Sequence, residues 1–449
     1  MKELKVKLNR FETPIFQLDG GETRDPIRCL SSGLCKPLRK VIKPNIRVLV
    51  LFPEQISEEK RNALDRLLSS LVNGVEEVRI KRWPGFYEIF GTKLVFEHKT
   101  YSSRDEYVES ILRTLSDGAK AYDFFIIYMP EPAKSRLKGR YFKVKAYALV
   151  NRIKEQIIIK PTIDKIIKYL NRRDLLSYND LIWNFALSIF TKIGGIPWRL
   201  KNPMSPTDVF IALSTIIKPE RLGVRHRAGI AALQIYNNWG EYEQSIHGEL
   251  IFIREEVKAI LNIGRDSRED FVRLILTVTK NIKGKNIVVH LSDLYSKDFH
   301  TLLYDTLIQQ GAASVKIIRI QTDSPLRLYK NIKDASRAWP MVASYWFLKS
   351  GKIAHLYTSG KWKYYVHKAP YAIPKHTVRP IQISLEYPHS SELTLNDLKD
   401  ILWLTKLYTY MIDAPRARIP ADLKLCRRYA KIVASNENVG PPEDITYLY

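Results

Sequence analysis

The chain has 449 residues and a mass of 52.2 kDa, enough for two or three domains with cores of their own. It carries 72 Lys and Arg against 47 Asp and Glu, and the resulting net charge of +25 favours a polyanionic partner, most simply nucleic acid. No apolar run approaches the roughly 18 residues of a membrane span, and the first residues lack the apolar core of a signal peptide. We therefore expect a soluble, cytoplasmic protein that does not span a membrane.

The cysteines bear on the redox environment. Cys29, Cys35 and Cys426 form no CxxC pair and no even-numbered framework. We expect a reducing compartment, with free thiols at Cys29 and Cys35 in preference to a disulfide between them.

The first half of the chain predicts a doubly wound α/β domain. Residues 1–40 are rich in turn formers and predict an extended arm or a small hairpin. Buried strands are predicted at 46–52, 78–80, 123–130 and 156–160, and helices from Ser57 onward, at about 102–115 and at about 178–191. This alternation predicts a Rossmann-like domain over residues 41–195, and the lack of a GxGxxG motif or a P-loop argues against dinucleotide binding.

The second half predicts a different mixed sheet, beginning after a turn-rich boundary at 197–206. A hairpin signal, Asn237-Asn238-Trp239-Gly240, separates apolar segments at 228–236 and 240–246. Further strands are predicted at 208–214, 286–292, 315–320 and 381–385, with helices at about 266–281, 297–310, 395–411 and 423–434. Antiparallel strands followed by strands alongside helices predict an RNase H-like domain over residues 196–449.

Four polar residues in the first domain suggest a binding pocket. Tyr141 and Lys145 are four residues apart, so on a helix they share one face. An aromatic ring can stack on a base while an ammonium group meets a phosphate, and Gln156 and Lys192 add an amide donor and a second ammonium. These residues predict a pocket for a phosphorylated nucleotide end. The residues alone leave a second interpretation open: two solvated lysines, a half-buried tyrosine and a surface glutamine.

This set, the following junction Lys192-Ile193-Gly194-Gly195-Ile196-Pro197-Trp198 and the domain order resemble a short, archaeal-type prokaryotic Argonaute. In that family a MID domain precedes a PIWI domain. The resemblance covers about residues 45–449 and implies that the pocket anchors the 5′-phosphate of a guide strand. Tyr141 would stack on the first base, Lys145 and Lys192 would neutralise the phosphate, and Gln156 would donate a hydrogen bond. The resemblance also implies that the C-terminal carboxylate of Tyr449 enters the pocket, where Mg²⁺ or another divalent cation bridges it to guide phosphates.

The resemblance also implies which residues would form a nuclease site in the PIWI domain. An active PIWI domain holds two divalent metals with acidic side chains, and the corresponding positions here carry Ser214, Ser292 and Lys431. We therefore expect an inactive nuclease site. The alternative is a metal-dependent nuclease with shifted ligands, using Asp293 with Glu249 or Glu255. Against it, a shift of one residue along a strand reverses the face of Asp293, and Asp208 precedes its strand as a capping residue would.

The C-terminal region contains basic residues suited to contacting the phosphate backbone of a nucleic acid. Lys424, Arg427, Arg428 and Lys431 fall at helical spacing on one stripe, and the resemblance adds Arg416 and Arg418 to the guide path. A solvated basic face is the alternative interpretation.

The resemblance implies particular partners. They are a small 5′-phosphorylated guide, expected to be RNA in preference to DNA, and a complementary target, expected to be DNA in preference to RNA. A separate protein would supply N-terminal and PAZ-like lobes, and a toxic effector, membrane-associated types included, would act in defence against viruses and plasmids. A basic protein that binds nucleic acid without a guide remains a further alternative.

Overall fold

The computed structural model describes residues 8–78, 81–102, 107–130, 134–217, 226–254, 260–322, 324, 342–348, 350–359, 379–407 and 418–435. The chain divides into two compact units. One contains residues 15–201, and the other contains residues 8–14 with the described residues from 202 to 434. The described part of the predicted arm, residues 8–40, is thus divided between the two units.

The amino-terminal region forms short elements and a disulfide. Its elements are β1 (Asn9–Arg10), β2 (Phe16–Leu18), β3 (Gly21–Thr23) and α1 (Pro26–Ser31). Cys29 and Cys35 form a disulfide, so the expectation of free thiols is wrong. The local backbone explains the pairing, because the chain turns back after α1 and the Cys35 amide donates to the Cys29 carbonyl at 3.2 Å.

The first unit is the predicted doubly wound domain. Its remaining elements are β4 (Asn45–Pro53), α2 (Glu58–Asn73), α3 (Phe86–Phe90), β5 (Lys93–Tyr101), α4 (Tyr107–Gly118), β6 (Phe124–Met129), α5 (Lys134–Val150), β7 (Glu155–Ile159), α6 (Lys160–Asn171), α7 (Leu175–Lys192) and β8 (Arg199–Leu200). The strands β5, β4, β6 and β7 form a parallel sheet in that order. The predicted strands at 46–52, 123–130 and 156–160 are confirmed, whereas the predicted strand at 78–80 falls largely outside the described residues.

Apolar residues hold this sheet between helices. The buried runs of β4 and β6 contribute alternate side chains to a core with α4 and α5, and α2, α6 and α7 pack with one another. Asp174 caps α7 by accepting the Ser177 amide at 3.2 Å, and the helix ends at Lys192, just before Gly194 at a φ of 99°.

The second unit is built on a ten-stranded mixed sheet within the described chain. Its elements are β9 (Val209–Ile217), β10 (His226–Asn237), β11 (Tyr242–Arg254), β12 (Leu261–Ile263), a 3-10 turn (Arg265–Ser267), α8 (Arg268–Val278), β13 (Asn286–Leu291), α9 (Lys297–Gln309), β14 (Ser314–Gln321), β15 (Ser344–Phe347), β16 (Ile353–Leu356), β17 (Ile381–Tyr387), α10 (Leu395–Leu407) and α11 (Ala421–Val433). The sheet order is β1-β15-β16-β17-β14-β13-β9-β10-β11-β12.

The centre of this sheet has the predicted RNase H-like arrangement. Strands β9, β10 and β11 are antiparallel neighbours, and β13 runs parallel to both β9 and β14. The hairpin predicted around Asn237–Gly240 joins β10 to β11. A large core lies between one face of the sheet and helices α8 and α9, while α11 packs against β9 and β10. No helix in the described part of the chain is both long and apolar enough to cross a bilayer.

Candidate nucleic-acid interface

The four predicted pocket residues come from three neighbouring elements of the first unit. Tyr141 and Lys145 lie on α5, Gln156 is the second residue of β7, and Lys192 is the last residue of α7. Because a short loop returns α5 to the start of β7, residues far apart in sequence meet at this end of the strand.

Lys192 and Gln156 are in direct contact. The Lys192 ammonium donates to the carbonyl of Glu155 at 2.7 Å and to Oε1 of Gln156 at 2.8 Å. The Ser188 hydroxyl donates to the same Gln156 oxygen at 2.8 Å. The side chain of Gln156 is thereby held with its oxygen engaged. Its amide group donates to the Ile157 carbonyl at 3.5 Å and has a second N–H to offer a ligand.

Lys145 meets a residue that the sequence analysis did not select. Its ammonium lies 2.5 Å from Oε1 of Glu155, the first residue of β7. Lys145 and Lys192 are only 2% and 1% exposed, so neither is a solvated lysine. Charged groups this deeply buried are expected only where an anion or hydrogen-bonding partners compensate them.

The alternation of side chains between the two faces of β7 could have identified Glu155 as a site residue. It precedes Ile157 by two residues, and both side chains are buried on the same face of β7. A carboxylate at a buried strand position requires a cationic partner, and Lys145 is that partner. Tyr141 lies one turn before Lys145 on α5, is half-buried and packs against the core shared by α4, α5 and the sheet.

In the second unit, two of the three predicted metal-ligand positions lie side by side. Leu213 of β9 is in register with Leu291 of β13, so the next residues, Ser214 and Ser292, lie beside each other where the pairing of these two parallel strands ends. Ser214 is fully buried, and its hydroxyl has no hydrogen-bond partner among the described residues. The third position, Lys431, is exposed on α11.

Two acidic residues near these strands accept hydrogen bonds from neighbouring groups. Asp293 accepts a hydrogen bond from the Ser292 hydroxyl at 2.9 Å. Because β13 ends at Leu291, the expected reversal of face does not apply to Asp293. Asp208 lies at the opposite end of these strands and accepts the Asn286 amide at 2.8 Å, as a capping residue does.

The remaining candidate ligands are two glutamates. Glu249 is exposed on β11, opposite Ile230, whereas Glu255 lies outside the described residues. Across the described ranges, no group of three or more His, Cys, Asp and Glu side chains is placed to share an ion.

Buried polar contacts fix α11 to the sheet, and the sequence analysis did not anticipate them. Nδ1 of His290 on β13 lies 2.6 Å from a carboxylate oxygen of Asp422 in the first turn of α11. Further along, Nδ1 of His247 lies 2.7 Å from the Tyr429 hydroxyl. These contacts set which face of α11 is buried.

The opposite face of α11 carries the predicted basic stripe. Lys424, Arg427 and Lys431 are exposed and Arg428 is half-buried. Arg418 precedes the helix, where its guanidinium donates to the Thr322 carbonyl and its own carbonyl accepts the Thr358 hydroxyl at 3.1 Å. Arg416 and Tyr449 lie outside the described residues.

No protein-family model and no curated protein sequence matches the chain. Solved structures do match. A Clostridium butyricum Argonaute, bound to a guide DNA and a 19-mer target DNA, is 18% identical, with a TM-score of 0.66 over 98% of this chain and 54% of that one. An Aquifex aeolicus Argonaute is 18% identical, with a TM-score of 0.61 over 99% of this chain and 56% of that one. A structure of that protein with externally bound siRNA gives a TM-score of 0.60 at 18% identity over 98% and 56%.

The chain has the Argonaute fold. The Rossmann-like unit corresponds to a MID domain and the RNase H-like unit to a PIWI domain, as the sequence resemblance predicted. The chain spans about half the length of the Argonautes it matches.

Proposed function

We propose that this chain is a short Argonaute that anchors the 5′-phosphate of a small guide strand and uses the guide to recognise a complementary strand. The observation that carries the proposal is the convergence of Lys145, Gln156 and Lys192 at one end of the MID sheet. Two ammonium groups and an amide donor are the groups that a terminal phosphate requires. Tyr141, one turn away on α5, supplies an aromatic ring for the first base.

We further propose that the PIWI domain reads nucleic acid without cutting it. Two-metal cleavage needs carboxylates where the pairing of β9 and β13 ends, and this chain has the hydroxyls of Ser214 and Ser292 there. Lys431 would repel a divalent cation and attract a phosphate. Together with Arg416, Arg418 and the other residues of the α11 stripe, it would contact the backbone of the bound strands.

A divalent cation, Mg²⁺ or a similar ion, fits the anchored phosphate. Oε2 of Glu155 is buried and accepts no hydrogen bond from any described residue, so the pocket offers an anionic oxygen to a cation. With the terminal carboxylate of Tyr449, this oxygen would help to hold the ion. The ion would supply positive charge to the phosphates when bound.

The proposed biological role extends to partners. The Clostridium butyricum structure contains guide DNA and target DNA, and an Aquifex aeolicus structure contains siRNA. For this chain we propose an RNA guide and a DNA target. A separate protein would supply N-terminal and PAZ-like lobes, and a toxic effector would be triggered when the guide finds invading viral or plasmid DNA.

Guide-directed capture tests the function. The chain is loaded with a 5′-phosphorylated RNA, and the retention of a labelled complementary DNA and of a scrambled DNA is measured in Mg²⁺. We expect at least about tenfold stronger retention of the complement, with the DNA intact. Equal retention of the two DNAs would indicate a basic protein whose binding does not depend on the guide. Cleavage opposite the guide would indicate a nuclease with shifted metal ligands.

A further inference from the structure

Glu155 places a negative charge inside the pocket proposed for the guide phosphate. Its side chain is about as buried as those of the two lysines, with 4% of the residue exposed. Oε1 holds Lys145 at 2.5 Å, and the backbone carbonyl of the same residue accepts from Lys192 at 2.7 Å. Two ammonium groups and one carboxylate leave this group of three residues with a single net positive charge.

A single net positive charge is too small to neutralise a terminal phosphate. A phosphate monoester carries about −1.5 to −2 charges near pH 7. On entering, it would meet a lysine already paired with a carboxylate, and two anions a few ångströms apart repel each other strongly in a desolvated site. A lysine pair without Glu155 would match the phosphate charge directly.

We propose that Glu155 is a specificity-determining residue that competes with the guide 5′-phosphate for Lys145. Its carboxylate offsets one of the two lysine charges that would otherwise act on the phosphate, and this increases the need for a cation beside the phosphate. This inference rests on the proposed function, because it assigns a role to Glu155 in the same guide-anchoring pocket.

The chain contains a matched control for this charge. Lys143 and Glu109 form an ion pair of 2.6 Å that joins the same helix, α5, to α4, but their side chains are 52% and 45% exposed. Glu109→Gln therefore removes the same charge from an ion pair of α5 at the surface. Glu155→Gln retains an oxygen that can accept from Lys145, so it changes the charge with little change in shape.

The test measures binding of one short RNA with either a 5′-phosphate or a 5′-hydroxyl, with Mg²⁺ and with EDTA. We expect Glu155→Gln to bind the phosphorylated strand about tenfold more tightly than the wild type, a difference of about 1.4 kcal/mol. Its affinity for the 5′-hydroxyl strand is unchanged, and its phosphate preference depends less on Mg²⁺. Glu109→Gln behaves as the wild type does.

The inference is overturned if folded Glu155→Gln binds the phosphorylated strand no more tightly than the wild type, or if it gains equally for both strands. A wild type that shows no phosphate preference would refute the proposed function itself. If Glu155→Gln does not fold, the Mg²⁺ dependence of the wild type takes its place. The phosphate preference of the wild type is then expected to fall about tenfold in EDTA, and an unchanged preference in EDTA would overturn the inference.

Discussion

The buried ion pair between Lys145 and Glu155 predicts a large and asymmetric stability effect. Lys145→Met leaves the Glu155 carboxylate buried without its cation, whereas Lys145→Met combined with Glu155→Gln leaves no charge behind. Removing one partner of a buried pair costs about 3–5 kcal/mol, while replacing both with neutral groups costs much less. For a unit the size of residues 15–201, such a loss corresponds to a fall of roughly 6–20 °C in melting temperature.

Thermal unfolding of the full chain, followed by circular dichroism, measures this effect. Lys143→Met serves as the control because its pair with Glu109 is exposed, and it is expected to cost less than about 1 kcal/mol. The double variant is expected to recover most of the stability lost in Lys145→Met. If single and double variants melt together, close to the wild type, the pair is not buried as described.

Three further outcomes are expected. Burial raises the pKa of Asp400 to about 7, so the folded chain binds this proton more tightly than the unfolded chain does. The stabilisation from the protonated carboxyl group is complete below about pH 4 and is lost as the pH rises towards 7. Asp400→Asn should therefore make the free energy of unfolding, measured with urea, less dependent on pH over that range, and an unchanged pH dependence would contradict this assignment. Alkylation of the native chain without reductant should modify neither Cys29 nor Cys35, and labelling of either would argue against their disulfide. Arg427→Gln should lower the salt dependence of single-strand binding by about 0.7 in the log–log slope, whereas Arg273→Gln on α8 should not; equal slopes would remove α11 from the nucleic-acid path.

The strands that could be predicted from the sequence are those with continuous runs of apolar residues. The runs at 46–52 and 123–130 correspond to β4 and β6, which have buried side chains on both faces, and such runs have few other interpretations. Strand β5 was missed because it is an edge strand with mostly exposed side chains, and its polar sequence resembles a loop. The pairing of β1 with β15 joins residues more than 300 positions apart, which no local pattern specifies.

The site was predicted in part for a similar reason. Tyr141 and Lys145 are related by helical spacing, so their shared face follows from the sequence. Glu155 was missed because its importance comes from contact with Lys145 across a helix–strand packing, and that contact exists only in the folded chain. The Cys29–Cys35 disulfide likewise depends on the turn after α1 and not on the spacing of the cysteines.

Competition between 5′-phosphorylated and 5′-hydroxyl guides of identical sequence tests the central claim most directly. The wild type is expected to prefer the phosphorylated strand by at least about tenfold, because the strands differ only in the group that Lys145, Gln156 and Lys192 would bind. Lys192→Gln retains a hydrogen-bond donor but removes the charge, and it is expected to abolish most of the preference, whereas Lys143→Gln leaves it unchanged. Equal affinity of the wild type for the two strands would contradict the account.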